Sequence, residues 1–135
     1  MLLEADLKTH LYTEQITVIS RGDAELMAEA IAAAEGEVKG YLSRYDIDAI
    51  FNKTGSNRDK TLLMWLKDMA TWHFITLANA AADMDFRESR YKQAIAGLSK
   101  IQSGKIVPFS WPLNTDEKKD TLFHVSSNIK RETNY

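Results

Sequence analysis

Lys60-Thr61-Leu62-Leu63-Met64-Trp65-Leu66-Lys67-Asp68-Met69-Ala70-Thr71-Trp72-His73-Phe74-Ile75-Thr76-Leu77 carries the densest apolar pattern in the chain. Leu62, Leu63, Trp65, Leu66, Met69, Trp72, Ile75, Thr76, Leu77 and Ala80 spread apolar surface over most of a helix's circumference rather than along one narrow stripe. A helix of that kind is central to its fold or shared with a partner. The spacing predicts a helix over residues 59–82, opened by Ser56 and Asp59 in a capping-box pattern with Asp in place of the usual Glu. Its most apolar part, residues 69–82, is interrupted by His73, Thr76 and Asn79. That part falls short of the roughly 18 to 20 residues that span a bilayer, so it reads as a buried helix.

On the N-terminal side, Leu26, Met27, Ala30, Ile31, Ala34, Val38, Tyr41 and Leu42 follow a 3.6-residue period, predicting a helix over residues 24–43. Asp23 is its natural N-cap, and the alanine-rich middle permits close approach of a neighbouring helix. Residues 4–12 read as two short turns with Leu3, Leu7 and Leu11 on one face. Ile16, Val18 and Ile19 read as more extended, because β-branched residues there alternate with polar ones. Residues 44–58 form a connection in which Ile47, Ile50 and Phe51 tuck against the body and residues 52–57 make a polar, Gly-containing tip. On the C-terminal side, Asp85-Phe86-Arg87-Glu88 opens a last helix with a stripe of Tyr91, Ala94, Ile95, Leu98 and Ile101, and Gly104 stands just past its end. The expected fold is an all-α bundle of four helical segments, with the third as hub.

The helical period stops at Gly104. Residues 1–104 read as a helical body and 105–135 as an extended arm, marked by Pro108, Trp111, Pro112 and the charged run Asp116-Glu117-Lys118-Lys119-Asp120. One short β-like run, Leu122-Phe123-His124-Val125, follows. The arm's apolar side chains return less on burial than its backbone loses in entropy on ordering. It therefore orders only on a surface that also satisfies its backbone, such as a sheet edge or another subunit.

With 135 residues the chain forms one domain with one core. Its net charge of -2, with both signs interspersed, lacks the basic footprint of a duplex-binding domain. The absence of cysteine removes disulfides, thiol nucleophiles and thiolate zinc sites. An acid at Glu4 precedes any apolar run, so no signal peptide is expected. His10, His73 and His124 match no metal-ligand spacing, and no metal or other cofactor is assigned. His73, inside the hub helix, reads as a hydrogen-bonded core or interface histidine. Asp83, Asp85 and Glu88 sit at a helix junction where carboxylates serve capping and the helix dipole. Nucleophile elbow, Gly-rich phosphate loop and paired glycosidase carboxylates are all missing, and the expectation is a protein that is not an enzyme. A helix-turn-helix at residues 54–65 fails because its recognition helix would open on apolar side chains.

Candidate interface residues fall in two groups. Trp65 and Trp72, two turns apart on one face, form either a core stripe or a docking face for a neighbouring subunit. In the arm, Leu122, Phe123 and Val125 are candidates to add a strand to a neighbour's edge, and Ile129 extends that apolar surface. Lys130 and Arg131, beside Tyr135, are either solvated or set against phosphate or an acidic surface.

The order of these features resembles a family of small phage and prophage head-tail connector (adaptor) proteins, the Mu-type group also found in Bacteroidetes prophages. The resemblance rests on Asp6-Leu7-Lys8, on Ile19-Ser20-Arg21-Gly22-Asp23, and on Glu37-Val38-Lys39-Gly40-Tyr41-Leu42-Ser43-Arg44-Tyr45-Asp46. It continues in Arg90-Tyr91-Lys92-Gln93-Ala94-Ile95 and in the closing Ser127-Asn128-Ile129-Lys130-Arg131-Glu132-Thr133-Asn134-Tyr135; residues 59–82 match only in character. It implies an all-α subunit of a ring of identical copies, joining the portal of a DNA-filled capsid to tail-completion proteins. The implied locations are the bacterial cytoplasm during assembly and then the virion head-tail junction. Contact with packaged DNA would be passive, across a lumen whose neutral or acidic lining does not trap a moving polyanion. The competing expectation is a regulatory, antitoxin-like module whose arm wraps a partner protein.

Overall fold

Asp59 starts the central helix: its Oδ1 accepts the Leu62 backbone N–H at 2.8 Å, satisfying one of the donors that a helix start leaves open. In the computed structural model, which describes residues 1–80 and 84–115, five α-helices and two 3-10 turns make an all-α bundle. The α-helices are α1 (Thr13–Ser20), α2 (Glu25–Tyr41), α3 (Ile47–Phe51), α4 (Lys60–Leu77) and α5 (Met84–Gln102). The 3-10 turns are Glu4–Thr9 and Gly55–Asn57. The expected capping box is replaced by Asp59 acting alone, since Ser56 lies inside the second 3-10 turn.

Helix α4 is the hub, packed against α2 on one side and α5 on another. Leu62, Leu66, Met69, Ala70 and Phe74 on α4 are fully buried, as are Ala30, Ala34 and Val38 on α2 and Ala94 and Leu98 on α5. Each large apolar side chain so buried contributes about 1.5–3 kcal/mol, and the alanines let the backbones approach. Thr71 is also fully buried, and its hydroxyl finds no hydrogen-bond partner among the described residues. Helix α4 ends at Leu77, short of the expected Ala82, where Asn79 turns into the left-handed region at φ 51°. The C-terminus of α5 follows its sequence signal: Gly104 adopts φ 74°, and its N–H returns to the Ile101 carbonyl.

Two local expectations change. The segment around Ile16 is helical, not extended. Its start is held by the Gln15 side chain, which accepts the Tyr12 N–H at 3.0 Å, and Thr17 spends its hydroxyl on the Thr13 carbonyl. Local hydrogen bonds thus outweigh the β preference of Ile16, Val18 and Ile19. Near the N-terminus the 3-10 winding, which brings side chains three apart into line, buries Leu7 while Leu3 is exposed and Leu2 enters the core in its place. Asp23 still serves α2 by accepting the Glu25 N–H, although Ala24 occupies the cap position.

The chain beyond Gly104 lies on the body as far as it is described. Trp111 is buried edge-on against Tyr45, with ring centroids 5.5 Å apart. Its indole N–H donates to Asp59 Oδ2 at 3.1 Å. Tyr45 and Leu113 form an isolated antiparallel bridge, flanked by Asp46 N–H to the Pro112 carbonyl and Asn114 N–H to the Arg44 carbonyl. The expected β-run at Leu122 lies outside the described residues.

Candidate functional site

Lys105 to Trp111 arches over the junction of α4 and α5 and leaves a groove of about 320 Å³, lined by Asp59, Thr61, Trp65, Ile101, Ile106, Pro108, Phe109, Ser110 and Trp111. Its rim is apolar and open to solvent. Val107 is 71% exposed and Phe109 105%, so among the described residues the latter side chain packs against almost nothing.

Trp65, singled out in the sequence, lies half-buried on the wall of this groove, against Gly97 of α5. Trp72 does not join it at the groove. It stacks on Tyr91 at 5.8 Å with an interplanar angle of 27°. Tyr91 in turn donates its hydroxyl to Glu37 Oε1 at 2.7 Å, and His73 Nε2 lies 2.9 Å from Glu37 Oε2. Burial, then the hydrogen bond and charge of Glu37, push the Tyr91 hydroxyl up to about 12. This polar knot ties α2, α4 and α5 together, and it gives His73 the hydrogen-bonded role read from its position. Leu122, Phe123, Val125, Ile129, Lys130, Arg131 and Tyr135 lie outside the described residues.

A second polar cluster is built around Asp68. Asp68, 5% exposed, accepts from Arg90 Nε at 3.0 Å and lies 3.0 Å from His10 Nε2 through the same Oδ1. His10 Nδ1 is 3.0 Å from Thr9 Oγ1, which also accepts from Lys67 Nζ at 3.3 Å. Burial pushes the Asp68 carboxyl up, but His10 and Arg90 together pull it below its ordinary value. Nearby, Arg58 grips Asp6 with two hydrogen bonds, 2.6 and 3.1 Å, and holds that carboxyl low as well. The sequence signal was Asp68 itself: a carboxylate between Leu66 and Met69 on a buried face requires a cationic or hydrogen-bonding partner.

Among the described residues, no group of three or more His, Asp or Glu is placed to hold a metal ion, and no helix is long and apolar enough to cross a membrane. The chain matches no protein-family model, no curated protein and no solved structure.

Proposed function

We propose that this protein is a structural subunit of a phage or prophage head-tail connector, a ring of identical copies joining the portal to tail-completion proteins. The observation that carries the reading is the exposed apolar rim from Ile106 to Phe109 beside the Trp65–Trp111 groove. Such a surface recognises protein by burying aromatic anchors. The order of sequence features shared with connector proteins supports the same reading. In this view the protein works by docking rather than by catalysis, in the bacterial cytoplasm during assembly and afterwards at the virion head-tail junction.

Pull-down of the full chain against portal and tail-completion proteins tests the proposal. Binding to either, abolished by Phe109→Asp, supports it. Binding instead to a small toxin encoded beside this chain's gene would replace it with the regulatory-module reading.

A further inference from the structure

A separate cleft of about 290 Å³ opens between the first 3-10 turn and the start of α5, lined by Thr9, His10, Phe86, Arg87 and Arg90. We infer that this cleft binds a phosphoryl oxyanion, either free phosphate or a phosphate ester. The inference is independent of the connector reading.

Charge comes first. Three cations, Lys67, Arg87 and Arg90, gather around the cluster with one buried carboxylate, Asp68, among them. Asp6 is held by both terminal nitrogens of Arg58, while Glu88 pairs with Lys92 and lines a different cleft together with Asp85. Among the described residues of this cluster Lys67, Arg87 and Arg90 outnumber Asp68, so an anion entering between Arg87 and Arg90 meets a net positive field at an open cleft.

The donors are also fixed in place. Arg90 commits Nε to Asp68, and Arg87 commits one terminal nitrogen to the His10 carbonyl at 2.8 Å. Among the described residues, both terminal nitrogens of Arg90 and the Nε and Nη1 of Arg87 take no other hydrogen bond. Each guanidinium is thus oriented by one bond and keeps the rest of its planar fork, which suits bidentate recognition of oxyanions. Two forks three residues apart on one helix, both lining this cleft, offer more donors than one carboxylate accepts, and an acceptor with three or more oxygens suits them. A phosphoryl group is such an acceptor, whereas a single carboxylate is saturated by one fork. Phe86, 58% exposed with the Arg87 guanidinium 5.4 Å from its ring centre, adds a flat apolar wall for the organic part of an ester.

The test is a titration of the full chain with inorganic phosphate at constant ionic strength, followed by backbone amide NMR. Saturable shifts confined to Thr9, His10, Phe86, Arg87 and Arg90 are expected. Arg87→Gln should weaken binding about tenfold, since a hydrogen bond to a charged group is worth roughly that factor. Lys92→Gln, which removes a charge on the same helix outside the cleft, should leave it unchanged. If Arg87→Gln melts early, Arg87→Lys retains the charge but loses the fork and should still weaken binding. Tighter binding of a ten-nucleotide oligothymidylate than of phosphate would identify a nucleic-acid backbone as the source, and equal or weaker binding would identify free phosphate or a small ester. Shifts that do not saturate, equal loss in both charge variants, or tighter binding of a polyglutamate peptide than of phosphate would each overturn the inference.

Discussion

At Gly97 a side chain would collide with Trp65: a Cβ built there falls 2.5 Å from Cζ2 and 2.8 Å from Cη2 of the indole. Two effects compete on replacement by alanine. In a helix interior, Gly to Ala gains about 1 kcal/mol, while overpacking a fitted site costs about 1–3 kcal/mol. The clash should win, so Gly97→Ala is expected to lower stability by about 1 kcal/mol in chemical denaturation. A rise instead would mean that the Trp65 ring is free to swing away from α5. Asp68 carries a second residue-scale expectation, in pH. Its carboxyl is lowered in the folded state, as is that of Asp6, so the unfolded chain binds those protons first as acid is added. Their stabilisation is complete above the ordinary carboxylate range and is lost as pH falls through the folded values. Asp68→Asn should cost about 2 kcal/mol at neutral pH and flatten the acid limb of a plot of melting temperature against pH. An unchanged acid limb would assign it to other groups.

Among the elements, the long helices were legible and the short ones were not. Helices α2 and α4 each repeat an apolar period for about four turns and α5 for about three, enough for pattern to dominate local preference. Helix α1 has only eight residues, with Ile16, Val18 and Ile19 among them, so its helicity depends on the hydrogen bonds at Tyr12 and Thr17. The placement of Trp111 was illegible for another reason. Pro108, Pro112 and Gly104 mark a break in helix, and nothing in that composition says that the chain folds back on the body. Asp59 makes the fold-back specific by serving two elements at once, Oδ1 capping α4 and Oδ2 accepting the Trp111 indole. Asp59→Ala should therefore cost about 2 kcal/mol, combining a cap and a hydrogen bond. A double-mutant cycle with Trp111→Phe should leave a coupling of about 1 kcal/mol. Strict additivity would mean that the indole bond contributes nothing to holding this segment in place.

For the whole molecule, what the sequence conveyed was an excess of apolar surface, and what it withheld was where that surface points. Trp65 and Trp72, read as either core or docking residues, are both half-buried: Trp72 stacks on Tyr91, while Trp65 lies against Gly97 and lines the open groove. Among the described residues, large apolar side chains face solvent at Val107 and Phe109 and also at Leu3, Tyr12, Val18 and Phe86; Val107 and Phe109 stand outside any helix, so no periodicity marks them. The Asp68 and Glu37 clusters were hidden for a related reason: their partners come from separate elements, so no local spacing records them. Phe109 gives the cleanest separation of folding from docking. Its side chain is fully exposed, so Phe109→Asp should change stability by no more than about 0.5 kcal/mol. If the rim is a docking surface, the same substitution removes an aromatic anchor and places a charge where a partner would desolvate it, a loss of about 2 kcal/mol or more in binding. If the proposed connector function holds, the ring must not close early, and the isolated chain should sediment as a monomer or small oligomer at micromolar concentration. An unchanged melting temperature combined with lost capture by portal or tail-completion protein is the expected result. Undiminished capture would move the docking surface away from this rim, and a large drop in melting temperature would make Phe109 part of the fold.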